Sequence, residues 1–110
     1  MLGIIPLATV YDQSIATNTD ILSADVTPSE RGCIRITCAM DTKTKLRVFY
    51  DDGSSIINMP MNGDVDQEAD APYTYVLGCD PSLSINFRHG DGGTVNISLL
   101  LVDLVIGGVV

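Results

Sequence analysis

From Thr94 the chain alternates, with Val95, Ile97 and Leu99 on one side and Thr94, Asn96 and Ser98 on the other; from Leu99 to Ile106 it then turns apolar on both sides, broken only by Asp103. A period of two is the signature of a strand with one buried face. A strand apolar on both faces must be covered on both. The opening segment, Met1 to Val10, is equally rich in apolar residues. Two such ends carry more apolar surface than one small core needs, which predicts a subunit that packs against copies of itself through Ile4, Ile5, Leu7, Leu100, Leu101, Val102 and Leu104.

The rest of the chain keeps to the same period. No stretch has the three-and-four spacing of an amphipathic helix, while β-branched, alternating runs recur between turn signals. Eight strands are predicted: Ile4 to Tyr11, Ile15 to Ala24, Gly32 to Met40, Lys45 to Asp51, Ser54 to Met61, Tyr73 to Gly78, Ser82 to His89 and Thr94 to Ile106. Asp52-Gly53 reads as a two-residue hairpin turn, because Gly accepts positive φ. Asp91-Gly92-Gly93 reads as a turn as well, and Asp80-Pro81 and Thr27-Pro28-Ser29-Glu30 mark further breaks. Residues 1–110 are therefore expected to form one all-β domain, an antiparallel sandwich or jelly roll. Its predicted core holds Ile34, Ile36, Cys38, Met40, Leu46, Val48, Tyr50, Leu83, Ile85 and Phe87, with Ser84, Asn86 and Arg88 facing out. Burying each large apolar side chain contributes roughly 1.5–3 kcal/mol, enough to hold the fold without a cofactor.

Charge narrows the partners. The net charge is −8, which disfavours nucleic acid and anionic membranes. Residues 31–50 are the exception, with Arg31, Arg35, Lys43, Lys45 and Arg47 against Asp41, a net of +4, and the remainder carries −12. Opposite-sign regions on one small molecule favour contacts between neighbouring copies. Arg35, Lys45 and Arg47 are thus expected at an interface, with Phe49 beside them as an anchor. Their expected partner is the acidic loop Asn62 to Asp70 of a neighbouring subunit. Asp64, Asp66, Glu68 and Asp70 in that loop also supply the hard oxygens that calcium prefers, although the spacing is not that of an EF-hand.

Other chemistry is sparse. The one histidine, His89, falls at a strand end and reads as a surface residue rather than a catalytic base, and no nucleophile-elbow sequence is present. Gly90-Asp91-Gly92-Gly93 lacks the Lys and following helix of a phosphate loop. Cys33, Cys38 and Cys79 have no zinc spacing. Cys33 and Cys38, about 16 Å apart along one strand, cannot bridge, whereas Cys38 and Cys79 could meet as packed thiols. The expectation is a non-enzyme without cofactor or metal. Tyr73 and Tyr75 share a face and offer the alternative of a binding module for carbohydrate or a small ligand. Met1 to Val10 lacks the basic residue of a signal peptide and no run approaches a membrane helix, so synthesis in the cytoplasm is expected.

The order of features, from the apolar first strand through Gly32-Cys33-Ile34-Arg35-Ile36-Thr37, Tyr73-Thr74-Tyr75-Val76 and Ser84-Ile85-Asn86-Phe87-Arg88 to Leu100-Leu101-Val102-Asp103 and Gly107-Gly108-Val109, resembles small all-β virion proteins of tailed phages, the head-decoration or cement proteins. That resemblance implies a homo-oligomer, often a trimer, fastened to the major capsid or another shell protein, made in the host cytoplasm and carried in the virion.

Overall fold

Among the described residues seven strands form, each antiparallel to its neighbours, and they sort into two sheets. The computed structural model describes residues 2–90 and 93–106, with the side chains of 2–5, 105 and 106 outside that description. In chain order the strands are β1 (Leu2–Ala16), β2 (Gly32–Met40), β3 (Leu46–Asp51), β4 (Ile56–Pro60), β5 (Tyr73–Cys79), β6 (Ser84–His89) and β7 (Thr94–Ile106). The first sheet has the order β1-β7-β2-β5 and the second β4-β3-β6. Only β3 and β4 are consecutive partners in one sheet. The chain crosses between sheets from β2 to β3, β4 to β5, β5 to β6 and β6 to β7, so residues far apart in sequence meet in one core.

Alternation decides that core. Ile34, Ile36, Cys38 and Met40 of β2 face Leu46, Val48 and Tyr50 of β3 and Ile85 and Phe87 of β6, and all are buried. From β7 come Val95, Ile97, Leu99 and Leu101. Leu101 is fully buried within the single chain, so its apolar surface belongs to the chain's own interior and not to an interface. Burial pushes the Cys38 thiol up to about 12, leaving it a protonated, inert core group.

The predicted strand Ile15 to Ala24 does not form. β1 runs on to Ala16, past a bulge where Asp12 takes φ 50°, and stops at a turn where Asn18 takes φ 54°. Short polar side chains tolerate that left-handed conformation better than most. The segment that follows lies along β6 and closes its free edge: Ile21 N–H donates to the Phe87 carbonyl at 2.8 Å, and Val26 and Ile85 exchange backbone bonds. Ile21 and Leu22 enter the core from it. Asn86, expected to face solvent, is consequently buried beneath this segment. Its Oδ1 accepts from Leu22 N–H at 3.0 Å and its Nδ2 donates to the Leu22 carbonyl and to Asp25.

The β3–β4 turn differs in length from the two-residue expectation. Asp51 pairs with Ile56, leaving a four-residue loop in which Gly53 has φ 94°. The Asp52 carboxylate accepts from the Ser54 and Ser55 amides, and these bonds hold it down to about 2. Asp80 does the same after β5, accepting from the Ser82 amide and hydroxyl and from Arg31, and is also held at about 2. The predicted turn at Asp91-Gly92 lies outside the described residues.

Candidate interaction surface

The basic stretch and the acidic loop do meet, within one chain. Lys45 and Arg47 point from the start of β3 toward Asp64, at 3.8 and 3.2 Å, and Lys43 lies 3.5 Å from Glu68. A single turn of 3-10 helix at Asn62–Asp64 presents the carboxylate, with Gly63 at φ 64°. The contact expected between neighbouring subunits is therefore intramolecular, because the loop after β4 folds back over β3. It also removes Asp64 from any calcium cage, since two cations already sit on it. No group of three or more metal-ligating side chains converges among the described residues.

Gln67, fully buried, pins this loop: its Nε2 donates to the Cys38 carbonyl at 3.3 Å, its Oε1 accepts from the Tyr75 hydroxyl at 2.7 Å, and its backbone pairs with Thr44. Glu68 N–H donates to the Tyr73 hydroxyl at 3.0 Å. Burial pushes the Tyr75 hydroxyl up to about 12, which keeps it a donor. Tyr73 and Tyr75 stand in register with Cys38 and Ile36, on the core side of the sheet. They fasten the loop, so the exposed aromatic platform of the carbohydrate alternative is absent here.

The outer face of the first sheet is built in rows across β1-β7-β2-β5. One row reads Pro6, Val102, Arg35 and Val76; the next Thr9, Leu100, Thr37 and Thr74; then Ser98 and Ala39. At the far end stand Asp12, Asn96 and Asp41: Asp12 N–H donates to the Ser98 hydroxyl, Asn96 Nδ2 reaches Asp12, and Asp41 accepts from the Asn96 backbone amide. Leu100 is 40% exposed here and Val76 61%, and Tyr11 stands clear of the β1 bulge. A shallow depression of about 380 Å³ lies between Tyr11, Val10, Thr37, Ala39 and Leu100. Val102 shares this face yet is only 2% exposed, so its expected role at an interface is corrected: the single chain already covers it. Leu7 and Leu104 are half-buried, Leu7 against the core, and the side chains of Ile4 and Ile5 lie outside the described residues, as do Gly107 to Val109.

On the second sheet, Phe49 is capped by Arg88, whose guanidinium carbon sits 4.6 Å from the ring centroid, while Arg88 also pairs with Asp20 at 2.9 Å. β4 is the sheet's free edge, and Ile56, Ile57 and Met59 are exposed along it. Between β4 and β5 an apolar groove of about 460 Å³ is lined by Tyr50, Ile57, Met59, Gly78, Cys79 and Leu83. The Tyr50 hydroxyl bridges it, donating to the Gly78 carbonyl at 2.8 Å.

The histidine and two of the three cysteines lie in the interior. His89 is buried, not on the surface, because β1 passes over it and the Ile15 carbonyl lies 2.7 Å from its Nε2. Cys79 pairs in register with Gly32 and Cys38 with Tyr73, six residues apart along β2. That is about 20 Å, so the two thiols do not meet.

No protein-family model matches the chain, and no curated protein matches it. The exposed apolar edge of β4 is the feature sequence reasoning missed. Its signal was the adjacent pair Ile56-Ile57 followed by Met59, which puts apolar groups on both sides of a short strand beside a turn, where one side must face water.

Proposed function

We propose that the chain is a structural subunit that works by adhesion, associating with copies of itself and with a viral shell as a decoration or cement protein, and that it is not an enzyme. The observation that carries this reading is apolar surface the chain leaves uncovered: Tyr11, Val76 and Leu100 on the outer face of the first sheet and Ile56, Ile57 and Met59 on the β4 edge. Unpaired strand edges and clustered apolar side chains are the usual seats of association. In its finer form the fold is a jelly roll, favoured by strands that repeatedly change sheets, and the resemblance to phage virion proteins adds the shell as partner and the trimer as the expected order. The protein is then made in the host cytoplasm and retained in the particle. Native mass spectrometry at micromolar concentration, with a search for stoichiometric copurification with particles, tests this. A stable oligomer found on shells supports it; a monomer that never accompanies a particle overturns it.

The groove between β4 and β5 favours a second reading, a module that binds a small apolar ligand. Thermal stabilisation by an apolar dye, abolished by Met59→Lys, would replace the adhesive reading with this one.

A further inference from the structure

The chain has six cations, and five of them lie over acids of the same molecule: Arg31 on Asp80, Lys43 on Glu68, Lys45 and Arg47 on Asp64, Arg88 on Asp20. Arg35 is the exception, with no hydrogen-bond or ion-pair partner among the described residues. It stands half-buried on the outer face of the first sheet, in register with the exposed Val76 on one side and Val102 on the other. A guanidinium held against a largely apolar sheet face loses hydration without gaining a partner. An acid from elsewhere would supply one.

The same face carries such acids at its other end. Asp12 and Asp41, neither touching a cation, flank Asn96. Asn96 lies six residues along β7 from Val102, the neighbour of Arg35. That places positive and negative ends about 20 Å apart. Between them lie Leu100, Thr37, Ala39 and the depression beside Tyr11.

We infer that this face pairs with the same face of a second copy about a two-fold axis passing near Leu100. The inference rests on the self-association proposed above and identifies its surface. A half-turn about an axis lying in the interface, parallel to the sheet and perpendicular to its strands, exchanges the two ends, so Arg35 of each copy reaches the Asp12 and Asp41 end of the other, twice over. The isologous contact is self-complementary in charge, and the apolar middle meets itself. Four strands about 4.8 Å apart and four rows about 6.8 Å apart give a face of roughly 500 Å², so two copies cover about 1,000 Å². That sits at the lower limit of specific interfaces, which fits a reversible dimer whose population depends on concentration.

Sedimentation equilibrium from about 1 to 200 µM tests it, on the full chain and on Arg35→Glu, Asp12→Arg and the double exchange. Each single reversal introduces two like-charge contacts and is expected to weaken the dimer at least tenfold. The double exchange restores both pairs and recovers it. Both positions lie on the sheet surface, and unchanged circular dichroism and thermal midpoint separate lost association from lost folding. A wild-type chain that stays monomeric overturns this contact, and the adhesive reading with it when the chain accompanies no particle. An oligomer indifferent to the reversals, or one populated only as trimers, overturns the two-fold face and leaves the adhesive reading standing. Weakening by the single reversals without recovery in the exchange overturns the pairing.

Discussion

Thr44 is buried, and its hydroxyl has no hydrogen-bond partner among the described residues. A buried unsatisfied hydroxyl costs about 1–3 kcal/mol, and Val has nearly the same shape. Thr44→Val is therefore expected to raise stability by about 1 kcal/mol in urea unfolding. Asp52 and Asp80 act in the opposite sense. Their carboxyls titrate at about 2 rather than at 3.8 because amides, hydroxyls and, for Asp80, Arg31 hold the charged form. A carboxyl with a depressed folded value stabilises fully above its unfolded value and loses that contribution as pH falls through the folded one. The thermal midpoint should thus drop between about pH 4 and pH 2, and more steeply than in a variant carrying Asp52→Asn and Asp80→Asn.

Among the elements, the segment 20–26 shows most clearly how a piece without strand geometry can close a sheet. Its seam is the Asn86 amide, bonded to both backbone groups of Leu22 and to Asp25. Asn86→Ala leaves the buried Leu22 groups without these partners and is expected to cost about 2–3 kcal/mol, with faster proteolysis within 20–26 as the local readout. The sequence foretold the inward faces of β2, β3, β6 and β7, since alternation encodes side directly. It could not foretell that the outward side of β6 is roofed by chain from sixty residues earlier. Nor could it assign the acidic loop to its own basic strip: attraction between Asp64 and Lys45 or Arg47 reads the same whether the partner is near or foreign. A bulge hid the length of β1, because Asp12 looks like a terminator and is absorbed as an irregularity of an edge strand.

For the whole molecule, internal pairing of charge governs how the solvent acts on it. With Asp64 and Glu68 opposite cations, millimolar calcium should leave the thermal midpoint unchanged, and a rise of several degrees would reveal a site these carboxylates do not form as they stand. The ion pairs are solvent-accessible, so molar NaCl should change the stability of the isolated chain by less than about 1 kcal/mol.

Neutralising nearly every basic side chain from within also makes the exterior close to a pure polyanion with one positive spot. At low ionic strength two such particles repel in almost every mutual orientation and attract in very few, a patchy colloid rather than a sticky one. Screening over about 10 Å at 0.1 M salt erases both tendencies together. Crowding in dilute buffer should accordingly yield ordered arrays, and the same crowding in brine, where only the bare Ile56, Ile57 and Met59 edge still discriminates, should yield precipitate.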